Sequence, residues 1–138
     1  MWRRADLDHF LGGAPAFGVV GMDLAVTRPR TSSRISFGEL ITHVVGVDVV
    51  CRVGMSISKG ELAPLIAAHL LVIEDFDPRR VNALGSTVLE RRRRLGNPTV
   101  LVAQAPPSTW AELARSPRVR RAVQGFLALA HLVGLPSP

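Results

Sequence analysis

The sequence predicts an α/β domain built on a parallel sheet, and three observations carry that expectation. Short runs rich in β-branched residues, each bounded by Gly, Pro or charge, occur at residues 44–53, 70–73 and 99–103. Between the last two lies a segment of helical period, residues 81–95, whose apolar positions Val81, Leu84, Val88 and Leu95 recur on one face and which closes on Gly96-Asn97-Pro98. The connection is long enough for a right-handed crossover, so the two strands it joins are expected as parallel neighbours.

The remaining elements follow in order. A helix is expected over residues 61–69, and another from about Ser108, where Ser108-Thr109 followed by Glu112 reads as a capping signal. The tail, residues 118–133, is compatible with a further helix. Neither an internal repeat nor a low-complexity linker interrupts the chain, so residues 1–138 are expected as one domain.

Composition narrows the class. Hydrophobic residues make up 47% and charged residues 20%, which is the make-up of a folding chain and not of a disordered one. No apolar run reaches the roughly 18–20 residues of a membrane span, and the opening MWRRADLDHF lacks the apolar core of a signal peptide. No membrane partner is expected, and the cytoplasm is the expected location. Cys51 sits in an apolar run and reads as a small buried hydrophobe. The net charge of +6 comes almost wholly from arginine, Lys59 being the one lysine. A basic surface suits nucleic-acid phosphates, although arginine in place of lysine also follows from GC-rich coding DNA. The charge concentrates at Arg91, Arg92, Arg93 and Arg94 and at Arg115, Arg118, Arg120 and Arg121.

Candidate chemistry sits where strands end. The run LLVI passes directly into Glu74 and Asp75, and ligands of parallel α/β sheets bind beyond the carboxyl ends of strands. Two carboxylates there suit Mg²⁺ and the polarisation of an attacking water. The run TVLVA ends in the polar Gln104, at the same end of the sheet if the strands are parallel.

These motifs together resemble the IstB-type helper ATPases of insertion sequences, relatives of the helicase loader DnaC and the initiator DnaA. LLVIEDF is similar to the LLVIDEF or LLVIDDF box of that family, and TVLVAQAPPSTWAELARSPRVRRAV to its TIITSN-x-P-x-SEW stretch, with Pro107, Trp110, Glu112, Leu113, Pro117 and Ala122 in step. FLALAHLV resembles the family ending RLLHHAHVI, and SRISFGELI a segment leading toward the acidic box. The resemblance covers about residues 11–134 and implies an AAA+-like P-loop NTPase core without a separate lid domain. It implies ATP and Mg²⁺ as cofactors and DNA, a transposase and further copies of the chain as partners. By resemblance Glu74 takes the metal-holding position, Asp75 and Gln104 the catalytic and sensor positions, and the arginines Arg91–Arg94, Arg118, Arg120 and Arg121 face DNA phosphates.

The resemblance also marks departures. The family phosphate loop, G-x-x-x-x-G-K-T then H-L-A, aligns with GGAPAFGVVGMDLAV, so that Gly18 and Gly21 keep step while Met22 replaces the lysine and Asp23 the threonine. Lysine neutralises the terminal phosphates and the hydroxyl binds Mg²⁺, whereas methionine brings no charge and Asp23 would add a carboxylate. Glu74 is one methylene longer than aspartate, a displacement of about an ångström, which can cost about a hundredfold in rate. The arginine of the family's LDRL aligns with Gly125. These changes imply a retained frame with impaired hydrolysis. A competing reading is a STAS-like interaction domain of the anti-sigma-antagonist kind, in which Ser86 would be the phosphorylated serine, but it leaves Trp110 unexplained.

Overall fold

The structure, a computed structural model, describes residues 23–27 and 49–134. Its sheet comprises β1 (Leu24–Thr27), β2 (Val49–Val53), β3 (Leu70–Glu74), β4 (Thr99–Ala103) and β5 (His131–Gly134) in the order β2-β3-β4-β1-β5. Every pairing is parallel. Among the described residues four α-helices lie between the strands: α1 (Leu62–Ala67), α2 (Ala83–Leu95), α3 (Trp110–Leu113) and α4 (Pro117–Leu129).

The three central strands are apolar because both of their faces are covered, the usual condition of a parallel sheet. Ala25, Leu71, Ile73, Leu101 and Ala103 pack in one cluster with Leu65 of α1, Val88 and Leu89 of α2, and Val119, Val123 and Phe126 of α4. Alternate residues on the other face, Leu24, Val26, Leu70, Val72, Val100 and Val102, are buried as well. β2 is different. It lies at an edge of the sheet, and Val50, Cys51 and Val53 are exposed. The expected buried strand is thus an edge strand, and Cys51 is exposed where burial was expected, because a β-branched run does not reveal its place in the strand order.

Helix α2 begins at Asn82, whose side-chain oxygen accepts from the Gly85 amide at 2.8 Å, and ends at Gly96, which adopts a left-handed conformation with φ 71°. The Asn82 amide also pairs with Ile57, accepting from its N–H at 3.1 Å and donating to its carbonyl at 2.8 Å, so one side chain starts the helix and fixes the loop after β2. That loop comes so close that a Cβ on Gly85 would collide with the Met55 carbonyl oxygen. The buried residues are Gly85, Ser86, Val88, Leu89 and Arg92, whereas Leu95, expected on the apolar face, is exposed. α4 starts at Ser116, which accepts from the Val119 amide at 3.2 Å, with Pro117 in its first turn. The tail does not remain helical: after Leu129 the chain turns into β5, which pairs beside β1. Among the described residues no helix is long and apolar enough to cross a membrane.

Arg92 is fully buried. Four consecutive residues of a helix run most of the way around it, so a run of four arginines must turn one inward. The Arg92 guanidinium makes five hydrogen bonds: to the carbonyls of Leu65 (2.9 Å), Ile66 (3.0 Å), Ala68 (2.7 Å) and Pro98 (2.6 Å), and to the Thr99 hydroxyl (2.8 Å). It closes the end of α1 and the entry to β4 with one group. Burial lowers its pKa to about 10, so it stays charged at neutral pH. Replacing Arg92 by Met leaves these oxygens without their donor and is expected to cost about 3–5 kcal/mol in urea unfolding, against less than about 0.5 kcal/mol for Arg91→Ala on the exposed face.

An ion pair braces the edge strand. Arg52 Nε donates to Glu61 Oε2 at 2.7 Å, and Glu61 also accepts from the Ser58 amide at 3.1 Å. The Arg52 hydrogen bond, reinforced by Ser58, holds the Glu61 carboxyl at about 2 against an ordinary 4.5. A depressed folded-state pKa contributes stability above about pH 4.5, and that contribution is lost as the pH falls toward 2. Urea midpoints measured between pH 5 and pH 2 should therefore fall less steeply in Glu61→Gln than in the parent chain.

Candidate functional site

The parallel strands carry Asp75 and Gln104 to one end of the sheet. β3 ends at Glu74 and β4 at Ala103, and the loops leaving them enclose a cleft of about 370 Å³ lined by Asp75, Asp77, Arg79, Arg80, Gln104 and Leu113 among others. Asp75 turns the chain out of the sheet in a left-handed conformation, φ 51°, the one non-glycine with positive φ among the described residues. Aspartate tolerates this region better than most side chains. The Phe76 amide donates to the Val102 carbonyl at 2.8 Å and resumes the bond to β4.

Beneath the cleft lies an aromatic pair. Phe76 and Trp110 meet edge to face, with centroids 5.0 Å apart and planes at 60°. The Trp110 indole donates to the Ala105 carbonyl at 2.9 Å, so one fully buried side chain ties the loop after β3 to the loop after β4. This accounts for the spacing Gln104-Ala105-Pro106-Pro107-Ser108-Thr109-Trp110: the loop leaves β4, makes a turn at Pro107–Thr109 and returns the indole under its own start.

Asp77, Arg79 and Arg80 complete the lining and were not singled out from the sequence. Asp77 accepts from the Arg79 amide and guanidinium at 3.0–3.1 Å, and the Arg79 hydrogen bond holds the Asp77 carboxyl below its usual range. Arg80 stands 3.9 Å from Asp77 with its side chain 86% exposed. The signal was present as Asp-Pro-Arg-Arg, an N-cap aspartate followed by proline at the first helical position.

The other expected site residues lie elsewhere. Glu74 is buried, 8% exposed, and shares the face of Val72 and Leu70, so it does not line the cleft with Asp75. Asp23 lies at the opposite end of the sheet. It precedes β1, its carboxylate accepts from the Thr99 amide at 2.9 Å, and its carbonyl accepts from the His131 amide at 2.9 Å. Burial raises its pKa, opposed by the Thr99 hydrogen bond and by Arg92 and Arg93. Gly18, Gly21 and Met22 lie outside the described residues.

The placement of Asp23 corrects the phosphate-loop alignment. In a P-loop the glycine-rich segment follows a strand and opens a helix, whereas Leu24 and Ala25, aligned with that helix, belong to β1 between β4 and β5. A short apolar run reads equally as strand or helix until its neighbours are known. Arg92 is corrected too, since burial removes it from any phosphate. Arg91, Arg93, Arg94, Arg118, Arg120 and Arg121 are exposed. Arg118 donates to the Thr87 hydroxyl at 2.7 Å, and the Arg93 guanidinium lies against Gly125, the position aligned with the family arginine. Ser86 is fully buried and donates to the Ala83 carbonyl at 2.6 Å, which removes it as an accessible phosphorylation site and leaves the STAS-like reading without support.

No family model matches the sequence, and no curated protein matches it significantly. Solved structures do resemble it. A crystal structure of DnaI superposes with a TM-score of 0.69 at 11% identity, covering 95% of this chain and 78% of that one. A candidate primosome component from Streptococcus pyogenes serotype M3 gives a TM-score of 0.67 at 14% identity, covering 88% and 78%. The fold is the parallel-sheet α/β fold of these two structures.

The one lysine, Lys59, stands after β2 in the turn Lys59–Glu61, so no phosphate-binding lysine follows β1. Among the described residues no three His, Cys, Asp or Glu side chains converge on a possible metal position. The cleft offers instead a carboxylate, an amide and a guanidinium to a polar ligand. Its shape depends on the aromatic pair: Trp110→Ala is expected to cost about 3–5 kcal/mol in thermal or urea unfolding, while Gln104→Ala on the exposed rim stays within about 0.5 kcal/mol.

Proposed function

We propose that this chain is an IstB-like helper protein that binds DNA beside a transposase, on a nucleotide-binding frame that has lost hydrolysis. The observation that carries the reading is the meeting of Asp75 and Gln104 across one cleft at the carboxyl ends of β3 and β4, on a sheet whose fold is that of a P-loop NTPase core. The primosome description of one structural neighbour agrees with work on DNA. In this reading ATP meets Gln104 and the exposed Arg80 at the cleft without a phosphate lysine, and Glu74, turned away from the cleft, no longer serves the ancestral metal position. The DNA-facing set is Arg91, Arg93, Arg94, Arg118, Arg120 and Arg121, projecting from α2 and α4, which pack side by side on one face of the sheet. Arginines on two neighbouring helices contact phosphates and carry little base information, so the expected binding is sequence-tolerant. The protein acts in the cytoplasm, assembled as a homo-oligomer on DNA.

Two measurements test this. Fluorescent ATP with Mg²⁺ should bind weakly and show no turnover; hydrolysis that Asp75→Asn abolishes would overturn the lost-motor reading. Duplex DNA should bind with a steep salt dependence. The triple variant Arg91→Glu, Arg118→Glu, Arg121→Glu should weaken binding by about 10- to 100-fold at 100 mM salt and flatten the log–log slope by about 0.9 per lost phosphate contact. Unchanged affinity would sink the assignment.

A further inference from the structure

Helices α2 and α4 both end at the amino-terminal edge of the sheet, opposite the cleft. Three large apolar side chains are exposed there: Leu95 (63%), Leu129 (76%) and Leu132 (66%). Leu129 lines a groove of about 300 Å³ together with Asp23, Arg93, Gly96 and His131; Leu95 directly precedes Gly96, and Leu132 directly follows His131. Single exposed leucines are ordinary, but three at one edge of a sheet, one of them lining a groove, are not. The Ala25–Leu132 register puts Leu132 on the sheet face that α2 and α4 cover, yet it stays exposed because β5 is the outer strand.

We propose that this edge docks an acidic, leucine-containing segment of a partner protein. Charge selects the occupant. Arg91, Arg93 and Arg94 are exposed in the last turns of α2, and the chain carries +6 overall, so a second copy would bring two basic rims together. The acidic group facing the groove, Asp23, is engaged by the Thr99 amide and lies in the field of Arg92 and Arg93, which leaves the rim positive. An apolar anchor flanked by carboxylates satisfies both the leucines and the arginines. This surface is distinct from the cleft and does not depend on the nucleotide reading.

The test uses the full chain and two fluorescein-labelled dodecapeptides with leucines at helical spacing, one with glutamate and one with lysine at every other position of the polar face. Fluorescence anisotropy should show the glutamate peptide binding at least about tenfold tighter than the lysine peptide. Leu129→Ser with Leu132→Ser, and separately Arg93→Glu with Arg94→Glu, should each weaken it by about tenfold or more, while Val53→Ser on the far edge strand leaves it unchanged. Far-ultraviolet circular dichroism confirms that the variants fold, as expected for exposed positions. Equal binding of both peptides, or affinity indifferent to the leucine substitutions, overturns the proposal. So does a dimer in light scattering that the leucine substitutions abolish, which would make a second copy the occupant.

Discussion

A buried guanidinium sets the geometry at the amino-terminal edge of this sheet. The carbonyls that end α1 and those that lead into β4 point toward the same small volume. Arg92 supplies enough donors in a fixed planar fork to satisfy them together, which a lysine could not do with the same geometry. Because Arg92 belongs to α2, this contact also fixes the rotation of the helix about its axis. The turn of Val88 and Leu89 into the core and of Arg91, Arg93 and Arg94 away from it follows from the same placement.

The opposite end relies on shape more than on charge. Phe76 comes from the loop after β3 and Trp110 from the start of α3, and their edge-to-face contact, with the indole bond to Ala105, keeps the loops after β3 and β4 at a constant separation. The cleft between Asp75 and Gln104 is the space that this separation leaves. The tryptophan motif thus acts from below, as a spacer for a site whose polar groups sit above it.

The arginines illustrate how one residue type divides into roles. Arg52 braces an edge strand through Glu61, Arg79 is held by Asp77 beside the cleft, Arg92 is internal, and Arg118 caps a contact between α2 and α4 through Thr87. The carboxylate partners of Arg52 and Arg79 and the burial of Arg92 remove charge from the set available to a polyanion, whereas Arg118, bonded to a neutral hydroxyl, keeps its own. What remains is a smaller basic surface than the sequence count suggests, concentrated on the outward side of α2 and α4.

The sequence by itself determined the local elements and their order. β-Branched runs ending at Glu74 and Ala103 form strands, the helical period between them forms α2, and a crossover of that length makes the strands parallel. Asp75 and Gln104 were legible as neighbours for the same reason, because parallel strands bring their carboxyl ends to one edge. Only the tertiary structure decided the rest. It placed LAVT in the middle of the sheet, turned the tail into β5, and left β2 and Cys51 at an exposed edge, since strand order depends on long-range pairing that a local pattern does not contain. It also chose Arg92 as the inward member of its run. Helical periodicity requires that one of four neighbours face the core, and the carbonyls waiting at the end of α1 and the start of β4 decide which.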